Sequence, residues 1–406
     1  ALITVPIVMA LIGGFGADIN KHITDGIKSI ATTGVMFIFA ILFFGILTDA
    51  GTFEPIIKLI LKMAGKDPAK ITLGTALLAM LVHLDGSGAV TFLVVIPAML
   101  PLYDALKMKR TTLATVTALA AGTMNIVPWG GPTLRAATAL NVPVTELFNP
   151  MLVPMASGLV FVLVVAYMLG LKERKAIGTI NEQEVVLADA KMDADKQALM
   201  RPKLFPVNML LIVLAIVVLI IGKVQPHVVF MIAFSLALVI NYPKVKDQAQ
   251  RIDAHSKAAL LMASVLFAAG AFTGILKGTG MIKAMADTLV KAIPSSLGAR
   301  FPLITGILAM PLSLVFDPDS FYFGVLPILS STASEFGVQA ISVARASILG
   351  QMTTGFPVSP LTGSTFLLIG LSGVDLGEHQ KKTIPFAFLT TIIMLVVAVL
   401  LGKVPL

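Results

Sequence analysis

Long apolar stretches with few charges dominate the chain, and short polar or glycine- and proline-containing segments separate them. They fall at 1–15, 31–50, 71–103, 111–140, 150–171, 204–222, 227–242, 258–276, 300–335, 339–373 and 383–402. An α-helix rises about 1.5 Å per residue, so about 20 apolar residues cross the hydrocarbon core of a bilayer. The pattern therefore predicts an all-α polytopic membrane protein, with simple spans at 150–171 and 204–222.

Two of the apolar stretches are long enough for two passes, but acidic residues and helix breakers interrupt each one midway. The stretch 71–103 contains H-L-D-G-S-G at 83–88, and 300–335 contains F-D-P-D-S at 316–320. An Asp at membrane depth costs about 2.5–3.5 kcal/mol, and irregular backbone survives there only inside protein or beside a water-filled cavity. We therefore predict two re-entrant hairpins whose tips carry the acids.

Two further stretches contain prolines and glycines in the middle of an apolar run. The stretch 111–140 includes N-I-V-P-W-G-G-P-T at 125–133, and 339–373 includes T-T-G-F-P-V-S-P-L-T-G-S at 353–364. Proline removes a helical hydrogen bond, and unwound helices of this kind form binding sites in membrane transporters. We predict a discontinuous helix in each stretch.

The two halves of the chain repeat the same features in the same order. F-F-G-I-L at 43–47 corresponds to F-T-G-I-L at 272–276, and each is followed by one hairpin and one broken helix. The polar segment 172–203 separates the halves as a linker, which gives repeats at about 1–171 and 204–402. Helix 204–222 would pair with a helix upstream of residue 1, which we expect to precede this chain. Each repeat then crosses five times, so the repeats are inverted.

Composition and charge agree with this interpretation. Hydrophobic residues make up 57% of the 406 residues and charged residues 13%, with a mean hydropathy of +0.93. Because even a 300-residue soluble fold buries only about 75% of its unfolded surface, a soluble enzyme, a nucleic-acid-binding module and a disordered protein are excluded. With the linker in the cytoplasm, most of the 30 Lys and Arg residues fall on the cytoplasmic side, which explains the net charge of +8 without nucleic acid. The amphipathic segments 52–66 and 281–294 are expected along the interface.

Several motifs resemble the citrate–metal–proton symporter family, CitMHS. They are I-L-F-F-G-I-L-T-D-A-G-T-F, L-D-G-S-G, M-N-I-V-P-W-G-G-P-T-L-R, F-Y-F-G-V-L-P-I-L, A-R-A-S-I-L-G-Q and S-P-L-T-G-S-T-F-L-L-I-G-L. The resemblance covers essentially the whole chain and implies an elevator-type fold of the ion-transporter superfamily, with a dimerising scaffold and a moving transport domain. It also implies proton-coupled uptake of citrate as a divalent-metal complex through the bacterial plasma membrane.

The internal repeat divides the chain between the scaffold and the transport domain. Segments 1–65 and 204–296 are expected to form the scaffold of a homodimer, and 66–171 and 297–406 the transport domain. The resemblance also implies L-D-G-D-G at the first tip and S-N-D-A at the second. Here Ser87 replaces one acid, and the second tip reads D-P-D-S. One carboxylate is thus lost from one tip and gained at the other, which bears on metal preference.

The charges at the tips indicate what the site binds. Ionised citrate is a trianion, which favours hydroxyls, helix N-termini and the guanidinium of Arg135. The tip acids would repel it unless they are protonated or the substrate carries a divalent metal of the Mg or Ca type. That metal would travel with the substrate and lie against Asp85, Asp317 or Asp319. The complete set of candidate substrate-binding residues is Asp85, Gly86, Ser87, Gly88, Asn125, Gly130, Gly131, Thr133, Arg135, Asp319, Ser320, Ser359, Thr362 and Ser364.

Other interpretations stay open at this stage. The tip acids could simply cap helices, and Arg135 could belong to a structural ion pair. The cargo could be a bare di- or tricarboxylate or gluconate, and a channel is a further alternative. An intramembrane aspartyl protease could use Asp85 and Asp317 as a dyad, although its usual motifs do not occur here. The sequence has no G-x-x-x-x-G-K-[ST] motif, which argues against a primary pump.

Overall fold

The computed structural model describes residues 3–65, 67–177, 194–221, 223–292 and 294–405, and all regular secondary structure in these ranges is helical. The helices of the first half are α1 (Thr4–Ile12), α2 (Ile19–Asp49), α3 (Glu54–Ala64), α4 (Pro68–Val82), α5 (Gly88–Ala105), α6 (Arg110–Met124), α7 (Gly131–Leu140), α8 (Val144–Phe148) and α9 (Leu152–Ile177). Half of the predicted linker 172–203, residues 178–193, lies outside the described residues, and the other half includes the end of α9 and all of the short helix Ala194–Leu199.

The second half repeats this order after one additional long helix, α11. Its helices are α10 (Ala194–Leu199), α11 (Phe205–Ile221), α12 (Pro226–Asn241), α13 (Val245–Gly278), α14 (Met281–Ala292), α15 (Ser295–Gly298), α16 (Phe301–Leu312), α17 (Leu326–Glu335), α18 (Ala340–Ile348), α19 (Gly363–Ser372) and α20 (Leu376–Leu400). The amphipathic segments predicted at the interface contain α3 and α14.

Six helical segments within the described residues are long and apolar enough to cross a membrane, judged by length and composition. They are Gly16–Asp49, Gly88–Ala105, Val144–Ile177, Pro202–Leu219, Ala259–Gly278 and Leu376–Leu400. The helices α2 and α13 are longer than the apolar runs 31–50 and 258–276 that predicted them, because their polar ends continue the same helix. The all-α membrane fold is therefore confirmed.

Helices α2 and α13 form the most extensive helix pair and contact each other through glycines. A Cβ atom at Gly26 would lie 2.1 Å from the carbonyl oxygen of Gly270, and one at Gly274 would lie 2.3 Å from the carbonyl oxygen of His22. Only residues without a side chain permit backbones to approach this closely. The repeated F-x-G-I-L segments thus belong to one tightly packed helix pair, which lies in the segments predicted to form the scaffold.

The helices break where the sequence predicts. Helix α4 joins α5 through a short 3₁₀ turn and Gly86, whose φ of +74° is the left-handed conformation that glycine adopts readily. Helix α16 ends at Leu312, and the chain re-enters helix as a π-helical segment, Ser320–Val325, before α17. The unwound segments between α6 and α7 and between α18 and α19 correspond to the predicted breaks.

Each hairpin packs against the broken helix of the other repeat. Helix α5 contacts α19, and α17 contacts α7. The arm α4 packs on α9 in the first repeat, as α16 packs on α20 in the second. Because of these contacts between the repeats, both tips and both breaks lie in one region of the molecule.

Candidate functional site

A cavity of about 820 Å³ lies between the α2–α13 pair and the first hairpin tip. We call it the central cavity. Its lining residues are Ala40, Ile41, Gly45, Thr48, Asp85, Gly86, Ser87, Gly88, Ala89, Val90, Asn125, Trp129, Gly131, Pro132, Arg135, His255, Leu261, Pro318, Met352, Phe356, Leu361, Thr362, Gly363, Ser364 and Leu367. Nine of the predicted substrate-binding residues are among them, and they come from both repeats.

Asp85 is the acidic residue of the first tip. Its carboxylate accepts the backbone N–H of Ser87 at 2.7 Å, and within the described residues it has no cationic partner within 4.0 Å. The Ser87 hydroxyl accepts the backbone N–H of Val90 at 3.4 Å and so begins α5. Asp85 therefore presents to the cavity a carboxylate that only its own turn stabilises.

Buried polar side chains connect the first hairpin to both breaks. Asn125 donates from Nδ2 to the carbonyl oxygen of Met352 at 2.8 Å, so it links the break of the first repeat to that of the second. Its Oδ1 lies 3.4 Å from Nε2 of His83, whose Nδ1 lies 2.8 Å from the hydroxyl of Thr91. Trp129 donates from Nε1 to the carbonyl oxygen of Leu84 at 2.7 Å. These contacts fix the tip relative to the breaks.

Two half-helices begin at the cavity without a side-chain cap. The N-cap residues of α7 and α19, Gly130 and Thr362, form no capping hydrogen bond through a side chain. The residues that follow, Gly131, Gly363 and Ser364, line the cavity. The first N–H groups of a helix have no intrahelical acceptor, and the helix dipole is positive there. Both half-helices therefore offer a binding position for an anion.

The first tip contacts the second break so closely that only glycine fits at one position. A Cβ atom at Gly88 would lie 2.7 Å from the ring of Phe356 and 3.4 Å from the hydroxyl of Ser364. The Phe356 ring also stacks on His83, with centroids 5.9 Å apart. This contact closes one side of the cavity.

The second tip uses its two acids differently. Asp319 accepts a hydrogen bond from Nε of Arg135 at 2.7 Å, and the two side chains are 31% and 10% exposed. Asp317 instead accepts the backbone N–H groups of Asp319 and Ser320 at 2.9 and 3.0 Å, together with the Ser320 hydroxyl. Asp317 thus caps the tip, and Asp319 pairs with the one arginine that lines the cavity.

Five of the predicted substrate-binding residues do not line the cavity, namely Gly130, Thr133, Asp319, Ser320 and Ser359. Thr133 is buried and donates to the carbonyl oxygen of Ile126 at 2.8 Å, while Ser359 is buried and accepts the N–H of Leu361 at 3.2 Å. Both hydroxyls satisfy backbone groups freed by the breaks. Over the described ranges, no three His, Asp or Glu side chains are grouped closely enough to hold a metal ion.

Helices α2 and α13 contribute a wall of the cavity that was not predicted from the sequence. His255 lines this wall, and its Nε2 lies 2.8 Å from a carboxylate oxygen of Asp49. Arg251 donates to the same oxygen at 3.1 Å. A Cβ atom at Gly45 would lie 2.6 Å from the His255 ring. In the sequence, this contact could have been suspected from Gly45, the glycine of the repeated F-x-G-I-L segment.

Residues 1–350 match the sequence profile of the CitMHS family, described as "Citrate transporter". The chain is 47% identical over 402 residues to a "Citrate transporter" of Bacillus subtilis (strain 168), covering 99% of this chain and 93% of the relative. It is 45% identical over 405 residues to the "Mg(2+)/citrate complex secondary transporter" of the same organism, covering 100% and 93%.

Two solved transporter structures have a similar fold. The YdaH transporter of Alcanivorax borkumensis superimposes with a TM-score of 0.64 at 13% identity, covering 96% of this chain and 88% of that one. Neisseria gonorrhoeae MtrF gives a TM-score of 0.63 at 13% identity, covering 97% and 86%. At this identity the similarity concerns the fold alone.

Proposed function

Because this chain belongs to the CitMHS citrate transporter family, we propose that it takes up citrate as a complex with a divalent metal ion and couples uptake to protons. The chain is a secondary transporter of the cell membrane, not an enzyme, so the protease alternative is discarded. The metal, of the Mg or Ca type, is cargo and not a resident cofactor. One close relative is named for transport of a Mg²⁺/citrate complex, which supports this choice.

The observation that carries the proposal is the combination of charges around the central cavity. Two uncapped helix N-termini and Arg135 suit carboxylates, whereas Asp85 in the same wall suits a cation. Bare citrate, a trianion, would bind favourably to the helix N-termini and Arg135, but Asp85 would repel it. Citrate that carries a divalent metal has one net negative charge and presents both signs. In the proposed complex the metal faces Asp85 and the citrate carboxylates face the half-helices.

The Arg135–Asp319 ion pair supplies a place for a coupled proton. A citrate carboxylate that binds Arg135 competes with Asp319 for the same guanidinium. Asp319 would then be left without a cationic partner, and a bound proton would neutralise its charge. We propose that a proton bound at Asp319 accompanies substrate binding and links the two fluxes.

We further propose that the two hairpins enter the membrane from opposite faces without crossing it. In each hairpin the first arm is short: α4 and α16 have 15 and 12 residues, or about 22 and 18 Å, against a hydrocarbon core of about 30 Å. A first arm of this length favours re-entry over two full spans, even though α5, the second arm of the first hairpin, has 18 residues, or about 27 Å. The sequence contains no cysteine, so single cysteines can be placed at the outer ends of the hairpins, in Lys107→Cys and Glu335→Cys. An impermeant thiol reagent should label the first only from the cytoplasmic face and the second only from outside. Labelling of both from one face would contradict the inverted arrangement.

The transport movement is proposed to be of the elevator type, within a homodimer. The hairpins and broken helices of 66–171 and 297–406 would move together against the scaffold of 1–65 and 204–296. The central cavity is consistent with this division because it lies between the α2–α13 pair of the scaffold and the first tip of the transport part. Cross-linking in membranes tests the dimer, and a purely monomeric product would contradict it.

The direct test of the function is uptake of labelled citrate by proteoliposomes, with and without each divalent cation and with an imposed pH gradient. We expect uptake only when a divalent ion is present, and faster uptake when the outside is acidic. Uptake of citrate in the presence of a strong chelator would identify a bare carboxylate as the cargo. Uptake independent of the pH gradient would remove the proton from the proposal.

A further inference from the structure

A second concave surface lies where α6 begins and where α19 joins α20. Its volume is about 640 Å³, and its lining residues are Lys109, Arg110, Thr111, Gly373, Val374, Glu378, Lys381 and Lys382. We call it the basic pocket. It shares no lining residue with the central cavity. Four of its eight residues are cationic, and they come from both repeats.

Two of these cations have no acidic partner. Lys109 and Lys381 are exposed and form no ion pair within 4.0 Å in the part of the chain that the structure describes. Arg110 is held by Asp104 through two hydrogen bonds of 2.8 and 2.7 Å, and the half-buried Lys382 donates to threonine hydroxyls. The ammonium groups of two lysines are therefore available to a ligand.

The carboxylates near the basic pocket do not neutralise it. Glu378 lines the pocket and is exposed. Glu173 lies beneath it, is 5% exposed, and accepts the backbone N–H of Lys109 and the hydroxyl of Thr112. Asp375 caps α20 beside the pocket, and Lys172 lies close enough to act electrostatically on Lys382. With Glu173, Glu378, Asp104 and Asp375 counted against the four lining cations and Lys172, the surroundings keep one positive charge. The concave surface brings that charge together with the Thr111 hydroxyl.

Because the chain contains an internal repeat, the charge of the basic pocket can be compared with that of the equivalent place in the other repeat. The equivalent place in the other repeat is the start of α18 and the connection from α7 to α9. Neither 336–340 nor 141–151 contains a Lys or Arg. One cation, Arg345 of α18, reaches this place and donates to the carbonyl oxygen of Glu146, against four cations in the basic pocket. The cytoplasmic charge bias explains an excess of cations on one face, but it does not explain why four of them line one concave surface.

We propose that the basic pocket binds a phosphate group at the cytoplasmic surface of the membrane. Ammonium groups together with a hydroxyl suit a phosphate oxyanion, and basic pockets between helices on the cytoplasmic side bind lipid head groups. The phosphate is supplied by an anionic phospholipid or by free inorganic phosphate, two sources with the same chemistry. This inference rests on the predicted cytoplasmic position of 107–110 and 381–382, and it holds whichever anion the central cavity carries.

The test measures binding to the purified full chain in a neutral detergent by calorimetric titration. The ligands are short-chain phosphatidylglycerol, short-chain phosphatidylcholine and inorganic phosphate. The test variant is Lys109→Gln with Lys381→Gln, which removes the two unpaired charges. The matched control is Lys58→Gln with Lys62→Gln, two exposed lysines of α3 predicted on the same face but outside the pocket. A third variant, Lys109→Arg with Lys381→Arg, keeps both charges.

We expect phosphatidylglycerol to bind more tightly than phosphatidylcholine. Each lysine removed should weaken binding about fivefold, so the glutamine pair loses about 25-fold. The α3 control and the arginine pair should change it less than threefold. Phosphatidylglycerol binding alone identifies a lipid site, and added binding of inorganic phosphate identifies a site open to soluble anions. Equal binding of the two lipids, or equal losses in the glutamine pair and the α3 control, overturns the proposal.

Discussion

The substitution Asp85→Asn distinguishes metal–citrate from bare citrate by the sign of its effect. It removes one negative charge from the central cavity and keeps the size of the side chain. The Asn Oδ1 can still accept the backbone N–H of Ser87, which Asp85 accepts at 2.7 Å. The tip should therefore keep its turn, and the protein its melting temperature in detergent.

The magnitude follows from the contact that is lost. A hydrogen bond or ligand contact to a charged group contributes about 1.5–3 kcal/mol, and about 2 kcal/mol corresponds to roughly 30-fold in affinity. If Asp85 faces the metal of a metal–citrate complex, the apparent KM for citrate with saturating metal should rise by about that factor. If the cargo is a bare trianion, removal of a repelling charge should lower the KM.

The assay is initial-rate uptake of labelled citrate by proteoliposomes over a range of metal concentrations. The control is Asp253→Asn, an exposed acid of α13 that lies outside the central cavity. It should leave the KM within twofold of the parent value. A KM for Asp85→Asn that is unchanged or lowered, with unchanged metal dependence, would show that Asp85 only caps its turn.

Three further predictions concern the ion pairs and the tip contact. Asp319→Asn should lower stability by about 1–3 kcal/mol, since it strands the 10%-exposed Arg135, and should weaken the pH dependence of uptake; an unchanged pH profile would exclude Asp319 as the proton carrier. Gly88→Ala should abolish uptake while the chain still reaches the membrane, because its Cβ would lie 2.7 Å from the Phe356 ring; full activity would show that the tip moves away freely. The guanidinium of Arg174 in α9 donates to Asp67 and holds the pKa of that carboxyl below its usual range, so Asp67→Asn should lower the Tm at pH 7. That deficit should shrink as the pH falls through the lowered pKa, whereas a constant deficit would refute the ion-pair explanation.

The positions of the tips and breaks could be predicted from sequence because their causes are local. Glycine, proline and acidic residues in the middle of an apolar run have few structural solutions in a membrane, and the repeat placed them twice. The central cavity accordingly includes Asp85, Asn125 and Thr362. The repeat also indicated that the two halves share one architecture.

The roles of individual polar side chains depend on distant contacts and could not be predicted. The sequence offered two acids at the second tip, and only the fold shows that Asp319 pairs with Arg135, 184 residues away, while Asp317 caps its own turn. A hydroxyl at a helix break can face a substrate or satisfy a freed carbonyl. Thr133 does the second, and its residue type does not distinguish the two.

The wall of the cavity that α2 and α13 form was even harder to predict from the sequence. Most of its residues are apolar or small and look like ordinary packing positions in a helix that crosses a bilayer. His255 is polar, but its sequence neighbours belong to the polar end of α13, which predicts a solvated side chain. Only the long-range contact with Gly45 brings it to the cavity. Such contacts arise from packing between repeats, which local patterns do not encode.

The central claim is that citrate and the divalent metal cross the membrane together. The most direct measurement follows labelled citrate and a labelled divalent metal in the same proteoliposomes, with one purified protein and no other carrier. The account predicts equal initial rates for the two labels, each dependent on the presence of the other and both accelerated by an acidic exterior. Citrate entry without metal entry, or metal entry without citrate, would contradict it.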